Sequence, residues 1–193
     1  MTFRPRHEKP YVMAINAVSG GGKTALANLV RLSLPGSVLF CFDDFEGAAP
    51  EDFYEWYKGG RDLEEFDCLQ MREAVNHEIQ KGIAEFIILD YPFSRDHPQF
   101  QIQIDLSVFV DTPLDVAMAR RIVRDYRAED GESAAVAVER LRQEMKHYVE
   151  KARYPYLDTE RHKATSDVVL DGCRSLEELK NEILQRIRSE RTN

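Results

Sequence analysis

Ala17-Val18-Ser19-Gly20-Gly21-Gly22-Lys23-Thr24 fits the phosphate-binding loop pattern (P-loop, Walker A), with Ala17 standing where that pattern usually has glycine. Each residue type has a chemical reason. Glycines allow positive φ and carry no Cβ, so the backbone N–H groups from Ser19 to Gly22 can turn inward around phosphate oxygens. Lys23 supplies a mobile charge for the β- and γ-phosphates, and Thr24 offers a hydroxyl to a Mg²⁺ ion. The helix that begins here, with Ala25 in its first turn, points its positive dipole end at the same phosphates. Upstream, Tyr11-Val12-Met13-Ala14-Ile15 is an apolar run of strand length after a break at Lys9-Pro10. Downstream, Leu26, Leu29, Val30 and Ser33 keep helical spacing until Pro35-Gly36 stops it. Strand, glycine loop and helix in succession predict a nucleotide phosphate site.

A chain of 193 residues is the size of one α/β domain with a sizeable core, here taken as a single unit over 1–193. A hydrophobic fraction of 43% and a charged fraction of 31% are those of a soluble globular protein. The net charge of −8 argues against a nucleic-acid surface. Cys41, Cys68 and Cys173 lie far apart with no C-x-x-C pair, so they read as reduced thiols, and neither a disulfide framework nor a zinc site is expected. The polar segment Met1 to Pro10 is no signal peptide, and no run approaches the roughly 18 apolar residues of a membrane span. A cytoplasmic protein without membrane partners is the expectation. Oligomeric state has no signature here.

Further along, Ser37 to Phe42 reads as a second strand, ending at Asp43-Asp44-Phe45. Residues 46–81 form a helical segment on the substrate side: a Gly/Ala/Pro stretch, a short helix over 51–57, a break at Gly59-Gly60 and one helix over 64–81. Strands over 85–90 and 106–111 follow. Thr112 is expected to cap the next helix with Pro113 in its first turn. That helix carries Arg120, Arg121, Arg124 and Arg127, and an acidic break at Glu129-Asp130-Gly131 ends it. A long helix over about 132–151, a strand over 167–170 and a final helix opened by the capping box Ser175-Leu176-Glu177-Glu178 complete the chain. Strands alternating with helices demand a parallel sheet.

Asp90 ends an apolar strand and would face the crevice at the carboxyl end of a parallel sheet, near Mg²⁺. Asp43 and Asp44 end the second strand on the same side. One of them, Asp43 first, could take a proton from a substrate hydroxyl or hold a metal-bound water. Arg120, Arg124 and Arg127 share a helical stripe, with Arg121 about 100° away. Fixed guanidinium groups stabilise the charge that phosphoryl transfer spreads over γ-oxygens; spacing alone equally allows a solvated face with Arg121 paired to Asp125.

The loop, the Asp43-Asp44-Phe45 turn and Asp111-Thr112-Pro113 to Arg120-Arg121-Ile122-Val123-Arg124-Asp125 together resemble the uridine kinase-like P-loop kinases, a group that includes phosphoribulokinase, pantothenate kinase and nicotinamide riboside kinase relatives. The resemblance covers most of residues 11 to 171. It implies a three-layer α/β/α P-loop fold with a five-stranded parallel sheet in the order 2-3-1-4-5. It further implies phosphorylation of a small-molecule hydroxyl, nucleoside-like or vitamin-like, by ATP with Mg²⁺. By the same resemblance Asp43 acts as base, Arg120, Arg121 and Arg124 contact phosphates, and a lid spans about 118–131. Uridine kinases carry a hairpin insertion that grips the nucleoside, whereas only about 45 residues separate Asp44 from Asp90 here. Tyr54, Trp56 and Tyr57, with Phe53, could stack on a flat ring or pack on the core. Arg61 and Arg95 sit in loops that could bind a substrate anion. Two alternatives stay open: a nucleotide-dependent switch or regulatory ATPase without a small-molecule acceptor, and a nucleoside monophosphate kinase-type enzyme. The absence of Asn-Lys-x-Asp or Thr-Lys-x-Asp counts against a guanine-nucleotide switch, and the Asp43 carboxylate would repel a phosphate acceptor.

Overall fold

A computed structural model of the chain describes residues 9–45, 49–126 and 133–192. Five parallel strands, β1 (Tyr11–Ala17), β2 (Ser37–Cys41), β3 (Phe86–Asp90), β4 (Leu106–Asp111) and β5 (Val168–Asp171), lie in the order β2-β3-β1-β4-β5. This is the order that the resemblance implied. The three inner strands are buried on both faces, and they read in sequence as continuous apolar runs for that reason. Edge strands β2 and β5 are only partly covered.

Helices cover both faces of the sheet. On one face Met13, Ile15, Leu106, Val108 and Val110 pack against α1 (Lys23–Ser33) and α7 (Leu176–Thr192) through Leu26, Val30, Leu179 and Ile183. On the other, Val12, Ala14, Ile87 and Leu89 meet Met71 and Val75 of α3 (Leu69–Lys81), with Trp56, Phe66 and Phe93 extending the layer. The capping box at α7 forms: the Glu178 N–H donates to Ser175 Oγ at 3.3 Å, and the Ser175 N–H donates back to Glu178 Oε2 at 3.0 Å. The remaining helices are α2 (Phe53–Lys58), α4 (Leu114–Asp125), α5 (Ala134–His147) and α6 (Arg153–Asp158).

Two helix boundaries differ from the sequence expectation. The single helix expected over 64–81 starts only at Leu69, after a 3-10 turn at Leu63–Glu65. Asp62 and Asp67 accept the N–H groups of Glu64 and Leu69, both at 2.9 Å, and such local side-chain turns compete with helix. The helix expected to end near 151 instead continues as a wide turn (Tyr148–Ala152), α6 and a 3-10 turn to Lys163. Pro155 is tolerated because it falls in the first turn of α6. Arg127, the Glu129-Asp130-Gly131 break and residues 46–48 lie outside the described residues.

Candidate active site

The phosphate loop links the carboxyl end of β1 to α1, with Gly20 at φ +83° and Gly22 at φ +99°, both conformations that side chains rarely adopt. The Gly21 N–H closes the turn on the Val18 carbonyl at 2.8 Å. Thr112 does not cap α4 as expected. Its hydroxyl donates to the Gly21 carbonyl at 2.9 Å, fastening the loop to the end of β4, and Pro113 takes the cap position. Gly20 has a second constraint. A Cβ there would lie 2.3 Å from the Ala117 carbonyl oxygen and 2.8 Å from Arg121 Cγ, so α4 is seated directly on the loop.

Lys23 reaches from the loop to Asp90 at the end of β3, where the two form an ion pair. Asp90 is 1% exposed, so this lysine is the counter-charge for a buried carboxylate. The β3 register sets Asp90 beside Ile15 and Cys41. Burial, reinforced by the charges of Asp90 and Asp44, pushes the Cys41 thiol up to about 11 and keeps it neutral. Thr24 and Asp43 line the cleft, whereas Asp90 is buried beneath its partner Lys23 and is not in the lining. Among the described residues no group of three or more His, Cys, Asp or Glu side chains could hold a metal by itself. Mg²⁺ fits such a sparse set, because it keeps waters and phosphate oxygens as most of its ligands.

A cleft of about 1060 Å³ opens over the loop. Ser19, Gly20, Gly22, Lys23, Thr24, Ala25, Arg120 and Arg124 line one end, and Phe53, Trp56, Leu63, Phe66, Phe93 and His162 the other. Asp43 lines the cleft as well, whereas Asp44 does not. The pair sits in a 3-10 turn, Phe42–Asp44, rather than in extended chain, and this turn presents only the first carboxylate to the cleft. Phe42 packs edge-on to Phe93 with centroids 5.5 Å apart, so Asp43 stands at the junction of the aromatic end and the loop end.

The arginines divide. Arg120 lines the cleft, and its Nη2 is held by the Gly172 carbonyl at 3.1 Å. Arg124 lines it too, bound to Asp125, which raises the guanidinium pKa; Asp43 acts on it in the same direction. Arg121 was expected on phosphate but lies outside the cleft lining. It is tucked between Glu144 at 3.4 Å, Asp125 at 3.9 Å and the Tyr156 ring at 5.1 Å. Its stem packs on Gly20, so it supports the loop from behind.

Phe53, Tyr54 and Trp56 line the cleft, and Trp56 also belongs to the core, so α2 serves both expected purposes. Tyr57 turns toward Tyr154, with centroids 5.7 Å apart. Arg61 is not in the lining either; it binds Asp158 at 2.7 Å. Arg95 is away from the cleft, fixed by the Ile104 carbonyl at 2.9 Å and Asp167 at 2.6 Å where β4 and β5 begin.

The sequence reading missed the second wall of the cleft. Tyr156, Asp158 and His162 come from the helical run after Ala152, where no strand, helix or motif was expected. Asp158 is buried between Arg61 and Arg161, the latter at 3.1 Å. Burial raises the Tyr156 phenol pKa, opposed by the charge of Arg121 and by Ser19, whose side chain lies against it.

No protein-family model matches the chain. It is 27% identical over 152 residues to a uridine kinase of Saccharomyces cerevisiae, covering 64% of this chain and 30% of that protein. It is 25% identical over 154 residues to uridine-cytidine kinase B of Dictyostelium discoideum, covering 66% of this chain and 63% of that protein. In sequence the chain is therefore similar to uridine kinases. The match spans less than a third of the yeast relative's length and less than two thirds of the Dictyostelium relative's. Among solved structures it superposes on a Deinococcus radiodurans tunicamycin resistance protein with a TM-score of 0.55 at 15% identity, covering 93% of this chain and 96% of that one, a likeness of fold. No helix among the described residues is long and apolar enough to cross a membrane.

Proposed function

We propose that the chain is an ATP-dependent kinase that transfers the γ-phosphoryl group to a hydroxyl of a small, uncharged, ring-bearing molecule, nucleoside-like or vitamin-like. The observation that carries this reading is the single cleft joining a cationic phosphate end to an aromatic end, with Asp43 at the junction. The loop amides, Lys23 and Arg120 bind the donor phosphates, and Arg124 closes on the transferred group. Thr24 and Asp90, with Asp43, are the residues that would hold Mg²⁺; the ion, when bound, neutralises charge on the phosphate oxygens. Asp43 orients the acceptor hydroxyl and takes up its proton as the O–P bond forms.

A hydrolytic switch would have no use for the aromatic end. A phosphate acceptor would need an arginine clamp there, yet Arg61 and Arg161 both lie against Asp158 and outside the cleft lining. The test is transfer from γ-labelled ATP to a panel of nucleosides, vitamins and sugars, with wild type and Asp43→Asn. Label on one compound, reduced about 100-fold or more in the variant, is expected of a positioned base. ATP hydrolysis without any labelled acceptor would overturn the kinase reading.

A further inference from the structure

At the aromatic end of the cleft stands a side chain that phosphoryl transfer does not employ. His162 is 4% exposed, yet it lines the cleft with Trp56, Leu63, Phe66 and Phe93. Its ring is edge-on to Phe93, with centroids 6.1 Å apart at 79°. Its Nδ1 is 2.5 Å from Asp96 Oδ2, and the hydroxyls of Thr165 and Ser166 donate to its carbonyl at 3.1 and 2.9 Å. The Asp96 contact fixes the ring, and the two hydroxyls fix the backbone that carries it. A carboxylate can only accept, so Nδ1 carries the hydrogen and Nε2 keeps its lone pair. No hydrogen-bond partner of Nε2 is found among the described residues, and His162 is one of the side chains that line the cleft. Burial holds the imidazole below its ordinary pKa, with Asp96 opposing, and this favours the neutral ring.

The neighbouring Asp158 lies between two arginines, Arg61 at 2.7 Å and Arg161 at 3.1 Å. We infer that His162, oriented by Asp96, selects the acceptor: its Nε2 accepts a hydrogen bond from an N–H or O–H on the far edge of a planar, uncharged ring seated among the aromatic side chains. A ligand without that donor leaves a buried lone pair unpaired, and discrimination by such a loss is stronger than by shape alone. Asp96 is a positioning residue in this arrangement. The inference rests on the reading of this end as the acceptor site, but it concerns recognition of the ring and not transfer to it.

The test is calorimetric binding without nucleotide. The probes are uridine against 3-methyluridine and adenosine against N6,N6-dimethyladenosine, on wild type, His162→Phe and Asp96→Asn. At least one donor-bearing member binds wild type about tenfold or more tighter than its methylated partner, as the loss of one buried hydrogen bond requires. His162→Phe erases that preference, and Asp96→Asn, which frees the imidazole tautomer, reduces it. Equal affinities within both pairs, no binding of any probe, or a preference that survives in His162→Phe would overturn the inference. Binding is read with no product counted, so a failure of phosphoryl transfer leaves the result intact. Transfer to a nucleoside whose methylated partner binds equally well would sink the inference and keep the kinase. If His162→Phe does not fold, the paired ligands on wild type still decide.

Discussion

Alanine placed at Gly20 and at Gly22 should have sharply different consequences although both glycines have similar backbone strain. Each has positive φ, +83° and +99°, so each substitution forces an L side chain into left-handed backbone at about 1–2 kcal/mol. Their surroundings then separate them. At Gly22 the nearest atom to a new Cβ is Arg120 Nη1 at 3.9 Å, an ordinary contact with a flexible side chain. At Gly20 the new carbon would lie 2.3 Å from the Ala117 carbonyl oxygen, roughly 1 Å inside a normal C···O approach. The obstacle is helix backbone, so α4 must move off the loop, which adds the roughly 1–3 kcal/mol typical of overpacking. Gly20→Ala should therefore lose about 2–5 kcal/mol and Gly22→Ala about 1–2 kcal/mol. In a domain of this size each kcal/mol lowers Tm by about 2–4 °C. The assay is urea unfolding with linear extrapolation, backed by thermal melts. Gly22→Ala should fold nearly as well as wild type yet bind ATP more weakly, because its methyl enters the cleft. Equal destabilisation by the two substitutions, within about 0.5 kcal/mol, would refute the claim that α4 rests on Gly20.

Lys23→Met should abolish transfer and also destabilise the fold by roughly 3 kcal/mol, because it strands the buried Asp90 carboxylate; adding Asp90→Asn should recover most of that stability, and a double variant no more stable than the single one would refute the pairing. The neutral ring of His97 is satisfied on both sides, with Nε2 donating to the Phe66 carbonyl at 2.9 Å and Nδ1 accepting from the Gln99 N–H at 3.2 Å, and burial lowers its pKa, as it does for His162. A folded-state pKa below the unfolded value of about 6.5 means that the unfolded chain binds the proton more readily, so stability is full above that pH and falls below it. Urea midpoints should then be lower near pH 5.5 than near pH 7.5, and an unchanged or higher midpoint would contradict the assignment. Trp56→Phe removes the Nε1–H bond to the Asp62 carbonyl at 2.7 Å and should cost about 1–2 kcal/mol, checked by the same unfolding assay, where a loss under about 0.3 kcal/mol would count against it.

What was legible in the sequence was whatever periodicity or local chemistry dictates. The apolar strands, the loop glycines, Lys23 and Asp90 follow from residue type and spacing, and Lys23 meets Asp90 because parallel strands end together. The Asp43-Asp44 turn was legible in position, but which carboxylate faces the cleft depended on the 3-10 turn. For Arg121 the spacing allowed both a phosphate contact and a pair with Asp125; the pair forms, but spacing could not say that Gly20 lies beneath. The second wall was invisible for a physical reason. Asp158-Thr159-Glu160-Arg161-His162-Lys163 has the composition of a solvated loop, and Pro155 reads as a helix stop. Only contacts across the sequence, such as Asp158 to Arg61 and His162 to Asp96, turn that charged run into a buried wall. The signal that could have found it was a His and an Asp four residues apart, one helical turn on a common face.

The Arg61–Asp158 bond ties the two walls of the acceptor end together across 97 positions of sequence. Swapping acceptor preference between relatives is therefore not a matter of transplanting one loop. A chimera carrying a foreign segment around Arg61 but the resident segment around Asp158 would inherit a charge whose counterpart stayed behind, and the reverse chimera would bury a carboxylate with one guanidinium missing. The unit that can be exchanged is the matched pair of segments, and a library that shuffles them jointly should yield folded members far more often than one that shuffles either alone.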